Sequence, residues 1–461
     1  MITRSALAAA LLPLLAAPAL AQTAPDVAQA RDAALNDTLG YEIVSGLTTE
    51  VGPRPAGSAA EARARDWAKA RLTALGFKNV RIETYQMAVW ERGAETAEVI
   101  APFPQKLRVT ALGQSGATPA EGITAPVVLF RSMAELNAAP AGSLAGKIAF
   151  VTHAMARAQD GSGYRQFGAV RFVGPGIAAK KGAIAIVIKS VGTDQGRGPH
   201  TGQTNFGKDV TPIPAGALSV SDAANLERML ARGAVTLKLV LTPRQIGMRE
   251  SGNVIAEVPG TDPAAGIVLI GGHLDSWDLG TGAIDDGAGL AITTAAAKRL
   301  LDGPAPRRTI RVVWFGAEEV GGPGAADYFK RHGGERHALV AESDTGADRV
   351  WRWQATLPDE AKPIAARLTD ALAPLGITRG DGAAGGGADV GPVARAGAAV
   401  IDLNQDASRY FDYHHTPEDT LERIDPAQLR QNIAAWTAML TIVANAPEDI
   451  GPVPPAKRGA E

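Results

Sequence analysis

Short apolar runs alternate with helical stretches through the C-terminal half of the chain. Residues 253–258 (NVIAEV), 266–270 (GIVLI), 309–315 (TIRVVWF), 338–341 (ALVA) and 398–402 (AAVID) read as strands. The second is almost continuously apolar, which suits a central strand covered on both faces. Residues 287–300, 325–330, 360–373 and 426–443 read as helices, and Pro374 with Gly376 stops the third. This alternation predicts an α/β fold, a mixed or parallel central sheet sandwiched by helices.

The N-terminal half is more broken. Residues 26–47 read as one helix, 51–58 (VGPRPAGS) as a turn, 58–75 as a helix stopped by Gly76, and 80–89 as a strand. From about 121 to 240 the character changes. Short strands are expected at 126–130, 147–151, 182–188, 213–220 and 235–241. Short helices fit 178–181 and 226–230, the latter with Ser221 and Asp222 as its cap. That segment is complete enough to be an inserted domain. The expected organisation is a main domain split over 22–120 and 248–461, with an insert at 121–247.

The first residues carry a different pattern. A basic start at Arg4 leads into an Ala- and Leu-rich run ending Ala19-Leu20-Ala21, which reads as an export signal over 1–21 cleaved before Gln22. The run is shorter than the ~20 residues of a spanning helix, and no later segment reads as a membrane span. A periplasmic or secreted protein is expected. The chain has no cysteine, so any metal must sit on His, Asp and Glu. A net charge of -2 with no long basic stripe argues against nucleic acid as a partner.

Candidate chemistry clusters just after the C-terminal strands. His273 and Asp275 follow a strand and two glycines, where open α/β sheets place their sites. Two apart in extended backbone, they face one side, so Asp275 can orient a metal-ligating His273. A surface turn with an incidental histidine is the plain alternative. In the Gly-rich run 280–289, Asp285 is a ligand candidate and Asp286 a helix cap or a support for the ligands. An acidic cap alone would also explain that pair. Glu318 and Glu319 follow the strand at 309–315, and one could bind metal while the other serves as base; Glu319 is read as the ligand and Glu318 as the base. A solvated helix start remains the alternative. Asp344 is a further ligand candidate, and His414 and His415 stand together in a chain with only seven histidines.

The set GGHLDSW, GAIDDGAG, FGAEEVG, ESDTG and YHHTPEDT, in this order, resembles the M28 zinc aminopeptidase family, in the branch near secreted carboxypeptidase Q. VGPRPAGS near the start matches more weakly, and the middle segment is similar to a β-rich protease-associated domain inserted into this enzyme type. The resemblance implies two zinc ions held by His273, Asp285, Glu319, Asp344 and His415. Asp285 would bridge them, with His273 and Asp344 on one ion and Glu319 and His415 on the other. It further implies Glu318 as general base, Asp275 as the partner of His273, and His414 as a substrate contact or a support for the ligands. Ile284 and Asp286 stand where many members carry Asn, which bears on substrate positioning.

The function implied is exopeptidase action on short peptides or dipeptides, by an activated water with Glu318 moving its proton. A carboxypeptidase acting on a free C-terminus is the near alternative. A glutaminyl cyclase and a non-catalytic peptide binder are the alternatives of other classes. Short peptides are the expected partners, with a homodimer left open. Arg165, Arg171, Lys180, Lys181 and Arg409 are the cations available to a substrate carboxylate. The loop 385–389, ending at Asp389, is expected to line the cleft, and the insert to cap it.

Overall fold

A computed structural model describes residues 26–455 and Arg458; the expected export signal lies outside the described residues. Two eight-stranded sheets organise the chain. The first runs, edge to edge, through Lys78–Glu91, Arg244–Val258, Thr309–Phe315, Ile267–His273, His337–Glu342, Ala399–Gln405, Val350–Thr356 and Thr378–Arg379. Thr309–Phe315, Ile267–His273, His337–Glu342 and Ala399–Gln405 run parallel to one another, and Arg244–Val258 and Val350–Thr356 pair antiparallel on either side of them.

Both faces of these parallel strands are covered, which is why their sequences are continuously apolar. Val268 and Ile270 point into the core under the helices Ala288–Leu301 and Pro426–Asn445, while Leu269 points to the opposite face with Tyr328 and Val393. Trp314 is wholly buried and places its indole N–H on Thr294 Oγ1 at 3.0 Å. Burying a large apolar side chain of this kind stabilises the fold by roughly 1.5–3 kcal/mol.

The second sheet begins earlier than residue 121. Glu95–Ala101, Gln105–Leu107 and Val109–Ala111 belong to it with Ile123–Phe130, Ile148–Val151, Ala185–Lys189, Ala215–Leu218 and Thr236–Leu241. Arg244–Val258 is one strand that crosses the expected boundary at 247/248 and pairs along its length with Lys78–Glu91. The expected boundary therefore falls inside a continuous antiparallel pairing, whose backbone hydrogen bonds tie both sides of it to one strand.

Other elements differ locally. The helix expected over 26–47 is two, Val27–Ala34 and Leu39–Gly46. Asp37 separates them, accepting the Gly40 N–H at 2.9 Å and pairing with Arg299 at 3.0 Å. Ser219, not Ser221 and Asp222, caps Val220–Leu230, accepting the Asp222 N–H at 3.1 Å. The helix Ser162–Phe172 was not expected, because Gly163 and Gly168 leave it no clear apolar stripe. Among the described residues, no helix is long and apolar enough to cross a membrane.

Two buried histidines away from the carboxylate cluster couple the fold to pH. His153 places Nε2 on Ser190 O at 3.1 Å, while Nδ1 receives the Met155 N–H at 3.2 Å. A carbonyl only accepts and an amide only donates, so the ring is neutral with its proton on Nε2. Burial pushes the pKa of both His153 and His337 down to about 4. Between about pH 6.5 and 4 the unfolded chain therefore binds more protons, and stability falls as pH falls. Each ring accounts for about 3 kcal/mol at most over that window. We expect the urea midpoint to drop between pH 7.5 and 4.5, and less steeply in His153→Gln. An unchanged slope in that variant would count against the assignment.

Candidate metal centre

The parallel register sets where the reactive side chains gather. His273 pairs with Phe315 and Gly271 with Glu342, so three strand ends lie level. Beyond them the chain presents His273, then Glu318 and Glu319, then Asp344. Asp285 and Asp286 come from the turn before Ala288–Leu301, and His414 and His415 from the turn after Ala399–Gln405 and a short helix. Ligands in open α/β sheets are expected at such carboxyl ends.

Asp285 is the centre of the cluster. Its Oδ1 lies 3.1 Å from His273 Nε2 and its Oδ2 lies 3.2 Å from His415 Nε2. Asp344 Oδ1 is 3.6 Å from His273 Nε2, and Glu319 Oε2 is 2.9 Å from His415 Nε2. Each carboxylate oxygen of Asp285 therefore faces a different imidazole, and each imidazole has a further carboxylate beside it. Potential ligand atoms of His273, Asp285 and Glu319 lie within 4.8 Å of one another, as do those of His273, Asp286 and Asp344. Asp285 Oδ2, Glu319 Oε1 and Asp344 Oδ1 are buried without a hydrogen-bond partner. Orphaned carboxylate oxygens are costly unless a cation serves them. An all N and O donor set with this clustering fits zinc.

The electrostatics agree. Burial disfavours protonation of His273 and His415, yet the surrounding carboxylates outweigh it, raising His273 well above its usual range and His415 to about 10. Burial alone would raise Asp285, but bonds from the two imidazoles hold it well below the ordinary carboxylate range. Glu318 is pushed well up, chiefly by burial and then by the neighbouring acids Asp344, Glu319 and Asp275. This is a site that draws in positive charge.

The neighbouring acids divide by direction. Asp286 turns away from the cleft, accepting the His273 N–H at 3.1 Å and the Gly289 N–H at 3.0 Å. It both caps the helix and holds the strand end. Gly272 permits this, since a Cβ there would meet the Asp286 carboxylate at 2.0 Å. The Asp275 carboxylate does not bond the ring of His273: Nδ1 lies 2.9 Å from the Asp275 carbonyl, against 3.7 Å from its carboxylate. The chain turns after His273, so the carboxylate instead accepts the N–H groups of Glu318 and Glu319 at 3.0 and 3.3 Å. Ala317 and His415 hold left-handed backbone, φ 63 and 62, a strain that concentrates at functional sites.

His414 stacks on His415 with ring centroids 3.5 Å apart, and its Nε2 lies 3.7 Å from Asp285 Oδ2. Burial, with the His415 charge beside it, holds its pKa well down. Asp389 is not on the cleft surface. It is 1% exposed beside Glu342, which accepts its N–H at 2.9 Å. The glycines before it do border a recess with Glu342 and Asp344.

Sequence reasoning missed several supports. Trp277 donates its indole N–H to Glu319 Oε2 at 2.6 Å. Asp419 accepts the N–H groups of Ala283 and Ile284 at 2.8 and 2.7 Å, fixing the turn that carries Asp285. Arg54, wholly buried, donates to Leu274 O, to Thr281 O at 2.7 Å and to Gly282 O at 2.8 Å. All three lie inside the motifs quoted above, which was the available signal.

The cluster opens on a polar cleft of about 400 Å³ whose walls include Glu318, Asp344 and His414 with Tyr164 and Arg171 of the middle segment. A second chamber of about 620 Å³, with Met87, Val89, Ile246 and Trp277 among its walls, meets it at Gln203 and Glu319.

The sequence model of peptidase family M28 matches residues 253–440. Carboxypeptidase Q of Bos taurus and of Homo sapiens are each 35% identical over 412 residues, 88% of this chain and 86% of theirs. A peptidase M28 precursor from Shewanella amazonensis SB2B superposes with a TM-score of 0.90 at 47% identity, covering 93% of this chain and 98% of that one. BSAP, a zinc aminopeptidase from Bacillus subtilis, shares the fold with a TM-score of 0.62 at 20% identity, over 89% of this chain and 97% of that one.

Proposed function

The chain belongs to peptidase family M28, and on that premise we propose that it is an exopeptidase of short peptides working with two zinc ions. The observation that carries this reading is Asp285, whose two oxygens each face a different imidazole. His273 and Asp344 would hold one ion, Glu319 and His415 the other, and Asp285 both. When bound, the ions supply Lewis acidity toward the scissile carbonyl and the attacking water.

The protein's own groups do the rest. Glu318, on the cleft wall, takes the proton of the attacking water and returns it to the departing amine. Asp275 positions it through the Glu318 N–H. Trp277 and Thr201 orient Glu319 and His415, the latter through Nδ1 at 3.2 Å from the Thr201 carbonyl. Thr201 belongs to the unit built on the second sheet, which we read as the inserted protease-associated domain. It walls the cleft through Tyr164, Arg171 and Gln203, which favours short substrates. An exported protein acting in the periplasm or outside the cell is the corresponding location.

A peptide panel with and without chelator tests this. We expect chelator-sensitive hydrolysis of free dipeptides, with slower cleavage of longer peptides. A requirement for a free amine would mark an aminopeptidase or dipeptidase, and cleavage of amino-blocked peptides a carboxypeptidase. Turnover that survives complete metal removal would sink the proposal.

A further inference from the structure

Arg92 stands where the chain passes from the first sheet to the second, just after Lys78–Glu91 and before Glu95–Ala101. Its side chain is 10% exposed, and its donors are fully engaged. Nε and Nη2 grip the two oxygens of the Asp278 carboxylate as a fork, at 2.7 and 2.8 Å. Nη2 also donates to Thr201 Oγ1 at 3.0 Å, and Nη1 serves Glu95 Oε1 at 2.8 Å and the Ala111 carbonyl at 2.7 Å. The Thr201 hydroxyl spends its one proton on the Ala111 carbonyl at 2.9 Å, so it turns a lone pair toward Arg92.

Asp278 and Thr201 matter through their neighbours. Asp278 follows Trp277, whose indole N–H lies on Glu319 Oε2 at 2.6 Å. That bond fills Oε2 and leaves Glu319 Oε1 buried without a partner. Thr201 holds His415 at two points: its N–H donates to His415 O at 3.0 Å, and its carbonyl faces His415 Nδ1 at 3.2 Å. Glu319 and His415 lie 2.9 Å apart and form one of the two metal positions read above. Their supports come from different units, Trp277 from the turn after Ile267–His273 and Thr201 from the unit of the second sheet. Arg92 bonds both segments at once.

The other position is braced without it. His273 Nδ1 lies 2.9 Å from the Asp275 carbonyl, and Asp286 accepts the His273 N–H at 3.1 Å. Other contacts also keep the two units packed: Arg157 and Thr193 both bond Asp412, and His200 Nδ1 lies 2.8 Å from His414 O. Removing the Arg92 side chain should therefore loosen one metal position and spare the fold.

We propose that Arg92 is a positioning residue for the Glu319–His415 metal position, clamping through Asp278 and Thr201 the two segments that orient its ligands. This rests on the two-zinc reading above. Groups behind metal ligands fix their orientation, and losing one typically costs about 10–100-fold in metal affinity.

The test is calorimetric titration of the metal-free full chain with zinc, against a competing chelator. The binding step abolished by Glu319→Ala marks the position in question. We expect Arg92→Met to weaken that step by about 10-fold and to leave the other within about twofold. Arg92→Lys keeps the charge without the fork, so it should fall between wild type and the Met variant. Asp278→Asn should weaken the same step, and the double variant should be no weaker than Arg92→Met, because both act through one clamp. If the Met variant does not fold, Asp278→Asn decides alone. Equal weakening of both steps, or no weakening of either, would overturn the role of Arg92. A wild type that binds fewer than two zinc ions would overturn the two-zinc reading, and this role with it, before any variant is compared.

Discussion

Glu318→Gln is expected to lower kcat for dipeptide hydrolysis by about 10³-fold while leaving the metal content unchanged. The change keeps the size of the side chain and removes its capacity to take a proton. A positioned general base contributes about 10²–10⁴-fold, which sets the scale. The Asp275 carboxylate bonds the backbone N–H of residue 318, so the local turn should survive. Metal analysis beside steady-state kinetics separates this role from ligation. Normal turnover would remove Glu318 from the mechanism, and lost metal would make it a ligand.

Asp285→Ala should be harsher. Its two oxygens face two separate imidazoles, so one substitution withdraws a ligand from both positions. Loss of both ions to dialysis is expected, with activity reduced by at least about 10⁴-fold, because Lewis acidity and water activation vanish together. Titration of the refolded variant with zinc should show weakened binding at both sites. One ion retained at wild-type affinity would mean that Asp285 does not bridge. Folding should be followed separately, because the residue is buried beside the turn that begins Ala288–Leu301. With the carboxylate gone, His273 and His415 lose an acidic neighbour each, so with metal removed from both proteins the two rings should titrate lower than in the wild type.

The mixed α/β class and the positions of the reactive clusters could be read in the sequence, because both are written locally. Apolar runs such as 266–270 and 309–315 declare buried strands whatever surrounds them. Glycines 271 and 272 mark a strand end that must admit other groups. The motifs also placed His273, Asp285, Glu319, Asp344 and His415 on one list, and the fold brings them to one cluster.

Direction and partnership were not local. Whether Asp275 bonds a ring or two backbone amides depends on a turn whose other half comes from residues 318 and 319. Asp389 follows a flexible glycine run, yet lies buried against Glu342 because the sheet brings that acid beneath it. Arg171 was one of several cations until the helix Ser162–Phe172, which has no clear periodic signal, carried it to the metal cleft. Side-chain period and turn chemistry are properties of neighbours along the chain. Which carboxylate meets which imidazole is set by strand register and by contacts between segments distant along the chain, as between Asp285 and His415, and only the packed structure decides those.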